Sequence, residues 1–223
     1  MGYGITIRVR GPYALFTRPE MKVERVSYEV ITPSAARGIL EAILWKPAIK
    51  WVVQRIHVLA PIRWTSLKRN EVTQKISRQN VERAMRGDMT LPIFCADQHR
   101  AQRHTLALRD VDYVIEAGFR MSDRAGAEDN PAKFREIFER RIEKGQHFRM
   151  PYLGCREFPA TVEPQVQAFA AIDESRDLGW MLHDIEFREE EAPLPHFFQA
   201  RLKAGVIEVP ELRPGIHASG GKP

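Results

Sequence analysis

The stretch TPSAARGILEAILWKPAIKWVVQRIHVL (32–59) reads as one helix followed by one strand, and the rest of the fold can be built outward from it. Thr32 is a helix-capping residue and Pro33 suits the first helical position. Ala36, Leu40 and Ile43 recur at helical spacing, so a helix is expected over about 33–45, ended by Pro47. The β-branched and aromatic residues that follow predict a strand at about 49–60. Upstream, Ile5, Ile7 and Val9 alternate with Thr6, Arg8 and Arg10, which predicts a strand with one buried face and one basic face. Downstream the order repeats. Strand alternation runs over about 104–120, and a helix at about 131–143 opens on Asn130-Pro131, carries Phe134, Ile137, Phe138 and Ile142, and closes at Gly145. Strand, helix, strand, then strand, helix, strand is the α+β, ferredoxin-like arrangement shared by RNA-recognition domains.

The expected organisation is a ferredoxin-like domain at 1–153, a small β-rich C-terminal part at 154–209 with strands at 180–187 and near 205–209, and a disordered Gly/Pro-rich tail at 210–223. Residues 62–103 lack sustained periodicity and are expected to form a long hairpin or mobile loop, with a short helical piece near 80–86. Nine Lys/Arg face only Glu71, Glu82, Asp88 and Asp97 there, so this segment carries +5, the net charge of the whole chain. Arginine outnumbers lysine 25 to 9, and its planar fork suits phosphate. This localised charge, with a pI near 9.4, favours a polyanionic partner.

Several classes are excluded. No apolar run is long enough to cross a bilayer, and the N-terminus lacks a signal peptide's apolar core, so a cytoplasmic protein without a membrane partner is expected. Cys95 and Cys155 have no zinc or disulfide spacing. Asp110 and Asp112 share a strand face, but no further ligand accompanies them, so neither a metal nor another cofactor is expected. Gly118, Gly126 and Gly145 make no phosphate loop.

The run GPYALFTRPEMKVERVSYEVITPSAARGILEAILWKP (11–47) resembles the opening of the CRISPR-associated Cas-five proteins of subtype I-C (Dvulg type), of the repeat-associated RNA-binding superfamily. RNEV (69–72), NPAKFREIFERRIEKGQHF (130–148), YLGCREF (152–158), RDLGWMLHDI (176–185) and KAGVIEVP (203–210) fit the same family in order. The resemblance implies a role in antiviral defence: a metal-independent endoribonuclease that cuts precursor CRISPR RNA within its repeats and keeps the guide RNA's 5′ handle. It implies as partners the backbone and large subunits of a type I surveillance complex, and leaves DNA open as a further one. A guide-RNA-binding subunit with weak or no cutting activity is the alternative, and a nonspecific basic nucleic-acid binder a third.

Metal-free RNA cleavage needs a base, an acid and a fixed cation around the scissile phosphate. The family takes these from a tyrosine near the end of the first helix and a lysine–histidine pair at the start of the second. Here the lysine is Lys133, but the other two positions hold Leu44 and Phe134, which move no protons. Lys133 falls on a helix's opening turn, where free N–H groups and the dipole favour an anion. The loop after that helix offers His147 and Tyr152 as replacement proton carriers, with His104 a weaker candidate, although a histidine at a helix C-terminus is more often a plain dipole partner. For RNA contact the candidates are Arg37, Lys46, Lys68, Arg69 and Arg149, with Trp45 as a stacking surface or a core residue.

Overall fold

The computed structural model describes residues 4–211 except 22, 89, 91–93, 166 and 188–191. In chain order it holds β1 (Ile5–Ala14), β2 (Arg25–Val26), α1 (Pro33–Ile43), β3 (Ile49–Val58), β4 (Arg63–Val72), α2 (Arg78–Met85), β5 (Arg100–Met121), α3 (Pro131–Glu143), β6 (Thr161–Pro164), β7 (Arg176–Glu186), β8 (Leu194–Leu202) and β9 (Val206–Glu208). The main sheet runs β6-β1-β5-β3-β9, with every one of these neighbours antiparallel. α1 connects β1 to β3 and α3 connects β5 to β6, so the first and third strands of the repeat are central and the second and fourth flank them. That is the ferredoxin-like α+β fold.

Alternation explains the core. Ile5, Ile7 and Val9 of β1 and Tyr113, Ile115, Ala117 and Phe119 of β5 are buried with Ala36, Ile39, Leu40 and Ile43 of α1 and Phe134, Phe138 and Ile142 of α3. Trp51 on β3 meets Phe119 edge-on at 5.4 Å and Phe138 at 4.9 Å, which locks α3 to the sheet. The opposite sheet face differs from the basic one expected. Arg8 makes a bidentate pair with Asp112 at 3.0 and 2.6 Å, Arg10 meets Glu163 at 2.7 Å, and Arg55 lies between Glu116 and Glu208 at 3.1 and 2.9 Å. Each of these three arginines finds a carboxylate on a neighbouring strand, which single-strand periodicity cannot reveal.

The basic segment is a ribbon. β5 passes through Asp110, at φ +54°, and its first half pairs with β4 over ten register positions, from Arg63 opposite Arg109 to Val72 opposite Arg100. The expected hairpin is therefore present, but as ordered strands, with β5 starting at Arg100 rather than near 104 and α2 set in the connection. α2 buries no residue and carries an Arg78–Glu82 pair at 2.8 Å on its surface.

From the C-terminal part, β6 pairs with β1 and β9 with β3, so both complete the main sheet. β7 starts earlier than expected, at Arg176, and pairs with β8, a strand the sequence reading lacked; their Leu178, Met181, Phe198, Ala200 and Leu202 join the common core. The tail beyond residue 211 lies outside the described residues.

Candidate nucleic-acid interface

The last turn of α1 organises the candidate site. The helix ends at Ile43, with Leu44 extended as its cap, two residues earlier than expected. Its final carbonyls need donors, and three separate elements supply them. The Trp51 indole donates to the Leu44 carbonyl at 2.9 Å, the Arg141 guanidinium to Ile43 at 2.7 Å, and the Phe148 backbone N–H to Ala42 at 2.7 Å. The segment after α3 is set in place by the helix end itself: Gly145, at φ +62°, donates to Ile142 at 3.1 Å, and Gln146 donates to Arg141 at 2.8 Å. β3, α3 and residues 146–150 thus converge on one end of α1.

At the start of α3, the Asn130 side chain accepts from the Lys133 backbone N–H at 3.0 Å, the capping bond its sequence suggests. The Lys133 ammonium, about half exposed, donates to Asp129 Oδ1 at 2.9 Å, and Asp129 Oδ2 accepts from the Gly126 N–H at 3.0 Å. The Lys133 hydrogen bond, followed by that of Gly126, holds the Asp129 carboxyl below its usual range, and the charge of Lys46 adds to this. Lys46 therefore shares the electrostatic surroundings of Lys133. Leu44 and Phe134 are buried, Phe134 with its ring edge-on to Phe119 at 6.4 Å.

The three residues expected to carry catalysis do not converge. His147 lines a shallow groove with Ile43, Ile142 and Met150, beyond the C-terminal end of α3. The eight residues from Lys133 to Arg141 represent about 12 Å of helix rise. Tyr152 lies at the other end of α1, in a cleft with Thr32, Ser34 and Gly38. Adjacency in the loop after the helix does not bring a proton carrier beside Lys133, because the helix axis intervenes.

Among the expected RNA contacts, Trp45 is 61% exposed and stands beside exposed Lys46. Its alternative reading as a core residue does not hold; Trp51 fills that place. Arg149 is exposed in the post-helix segment, and Lys68 is exposed on β4 opposite His104. The outer side of the β4–β5 ribbon carries Trp64, Ser66, Lys68 and Asn70 beside Gln102, His104 and Leu106, with no carboxylate; Glu71 is on the other side, with Arg25 at 3.0 Å. Two expectations need correction. The Arg37 guanidinium is held between Glu41, one helical turn on, and Asp184 of β7 at 2.8 Å. Burial opposes its charge, and these two carboxylates more than offset that, holding it above its ordinary value. Arg69 is largely covered and pairs with Glu157 at 2.5 Å.

Phe148 was missed. It is 82% exposed beside His147 and Arg149, yet its amide is fixed on α1. The one signal available was its position beyond Gly145, off the buried stripe of α3. Among the described residues, no three His, Cys, Asp or Glu side chains gather as a metal site, and no helix is long and apolar enough to cross a membrane.

Comparison with known proteins covers almost the whole chain. The family model described as CRISPR-associated protein (Cas_Cas5) matches residues 4–210. A protein of Mannheimia succiniciproducens named CRISPR pre-crRNA endoribonuclease Cas5d is 50% identical over 94% of this chain and 96% of its own. One of Thermus thermophilus with the same name is 42% identical over 92% and 91%. A solved structure described as a CRISPR-associated protein superposes with a TM-score of 0.68 at 26% identity, over 94% of this chain and 93% of its own. A chain of a CRISPR RNA-guided surveillance complex gives 0.52 at 13% identity, over 93% and 91%, and shares the fold.

Proposed function

The chain belongs to the CRISPR-associated Cas5 family, and from that membership we propose that it is an endoribonuclease that cuts precursor CRISPR RNA within the repeats and then retains the 5′ handle of the guide. Its partners are then the backbone and large subunits of a type I surveillance complex, with DNA as a further ligand, and it works in the cytoplasm, where the transcript is made. The observation that carries this reading is the Lys133 ammonium at the capped start of α3, in the electrostatic surroundings of Lys46, while Trp45 beside Lys46, and Phe148 and Arg149 in the segment held on the end of α1, are exposed. Cations for phosphates and exposed rings for unstacked bases are what a single-stranded RNA segment requires.

In the proposed reaction the substrate's 2′-oxygen attacks the adjacent phosphorus as the 2′ proton leaves. The P–O5′ bond breaks, the departing oxygen takes a proton, and the products are a 2′,3′-cyclic phosphate and a 5′-hydroxyl. Lys133 stabilises the added charge of the pentacovalent state. His147, past the far end of α3, and Tyr152, at the opposite end of α1, are too far apart to serve one scissile phosphate beside Lys133, so no more than one of them carries a proton in this reaction and solvent carries the other. The buried Leu44 and Phe134 favour the second reading, a guide-RNA-holding subunit with little or no cleavage.

Incubating the protein with its cognate repeat RNA in EDTA, beside RNA with one 2′-deoxy sugar at the cut site, separates the two. Cleavage of the first RNA alone supports the nuclease, with Lys133→Ala abolishing most of it; both RNAs bound but intact supports the holding subunit.

A further inference from the structure

Asp129 is a carboxylate placed where an RNA phosphate is expected to approach, which by charge alone is unfavourable. Both its oxygens are engaged, one by the Lys133 ammonium at 2.9 Å and the other by the Gly126 N–H at 3.0 Å, so the carboxylate cannot turn without losing a donor. The loop that carries it is itself braced. The Asp129 N–H donates to the Gly126 carbonyl at 3.0 Å, closing a tight turn, and the Ser122 hydroxyl donates to the Pro47 carbonyl at 2.5 Å while the Ser122 N–H donates to Ala48 at 2.9 Å. Pro47 and Ala48 directly follow Lys46. The turn bearing Asp129, the exit of α1 bearing Lys46 and the first turn of α3 bearing Lys133 therefore form one frame.

A lysine side chain with four rotatable bonds, about half exposed, sweeps a wide volume unless something holds its end. A cation contributes to a transition state in proportion to how well it is already in place. The Phe134 ring, 5.8 Å from the ammonium, offers only a weak second contact.

We propose that Asp129 is a positioning residue that fixes the Lys133 ammonium for the transition state while weakening ground-state binding of the RNA. This rests on the reading of Lys133 as the cation of an RNA-cutting site. One carboxylate against Lys46 and Lys133 leaves a net charge of +1 for the phosphate, and two of the three ammonium hydrogens remain for it.

The test compares wild type, Asp129→Asn, Asp129→Glu and Lys133→Ala on cognate repeat RNA, with affinity and single-turnover cleavage measured separately and melting temperatures alongside. Asp129→Asn removes the repelling charge and the anchor together. It should bind RNA as well as wild type or roughly 2–5-fold more tightly and cut it roughly tenfold or more slowly. Asp129→Glu, which keeps the charge, should recover part of the rate. A merely structural pair would lower affinity, rate and melting temperature together, and a simple mask would raise both affinity and rate; either result overturns the proposal. An active wild type with Asp129→Asn cutting at the wild-type rate overturns this proposal alone. A wild type that binds the repeat but leaves it intact overturns the nuclease reading, and this proposal with it.

Discussion

Replacing Arg37 by methionine tests whether its guanidinium serves the fold or the RNA. The side chain is 25% exposed, and its two partners, Glu41 and Asp184, are 21% and 26% exposed. Methionine keeps most of the aliphatic volume but leaves two carboxylates from α1 and β7 facing each other without a cation. Stripping one partner from a fully buried ion pair costs about 3–5 kcal/mol, and an exposed pair is worth about 0–1. This partly covered site falls between, at about 2–3 kcal/mol. For a chain of this size each kcal/mol lowers the melting temperature by roughly 2–4 °C, so the expected fall is roughly 4–12 °C in a thermal melt. Neutralising the partners as well, with Glu41→Gln and Asp184→Asn, should recover at least half of it, because the loss comes from uncompensated charge. Repeat-RNA affinity, measured where both proteins are folded, should stay within twofold of wild type. An Arg37→Met protein that melts with wild type yet loses RNA affinity would refute the reasoning and return the guanidinium to the RNA.

Gly154 has φ +83°, and a Cβ there would lie 2.0 Å from the Leu15 carbonyl oxygen; Gly154→Ala should destabilise the protein, whereas Gly38→Ala, inside α1 with nothing within 4 Å, should stabilise it by about 0.5–1 kcal/mol, as read by urea unfolding. Burial holds the His183 imidazole below its ordinary value of 6.5, against the Nε2 hydrogen bond to the Pro210 carbonyl at 2.7 Å. The unfolded chain therefore binds this proton more readily, so stability is full above pH 6.5 and declines as pH falls from there to the folded value, and His183→Gln should flatten that slope in denaturant titrations. Trp45→Ala and Phe148→Ala should each cost RNA binding about 1–3 kcal/mol if a base stacks there, with unchanged melting curves. Lys68→Ala and Arg149→Ala should each reduce the slope of log affinity against log salt by about 0.7 for single-stranded RNA; an unchanged slope removes that residue from the interface.

The sequence displays the βαββαβ order because each of its elements buries one face against the same core, and burial on one face is what periodicity records. Ile5, Ile7 and Val9, or Phe134, Phe138 and Ile142, can be read without knowing their partners. β4 could not be. Thr65, Leu67, Arg69 and Glu71 form its half-covered side, and Arg69 and Glu71 are covered as ion pairs with Glu157 and Arg25, distant in sequence. A strand whose inner face is polar has no apolar alternation to betray it. β8 is similarly obscured by Pro195 and His196, and β9 is only three residues long, legible as a strand but not as a partner of β3.

Charge was the more misleading guide to the site, and the reason is physical. A count of arginines assigns every one of them to a polyanion, yet the fold gives Arg8, Arg10, Arg37, Arg55 and Arg69 carboxylates within 3.1 Å. The cross-strand pairs among them, those of Arg8, Arg10 and Arg55, stabilise the sheet and remove its face from competition for phosphate. What identifies the candidate interface is instead the disposition of backbone hydrogen bonds at the end of α1. Because Trp51, Arg141 and the Phe148 amide satisfy those carbonyls, Trp45 and the Phe148 ring need not be buried to complete the helix end. The same caps leave Leu44 free to be an apolar core residue. An apolar residue at that position thus completes the core without burying the exposed rings around the helix end.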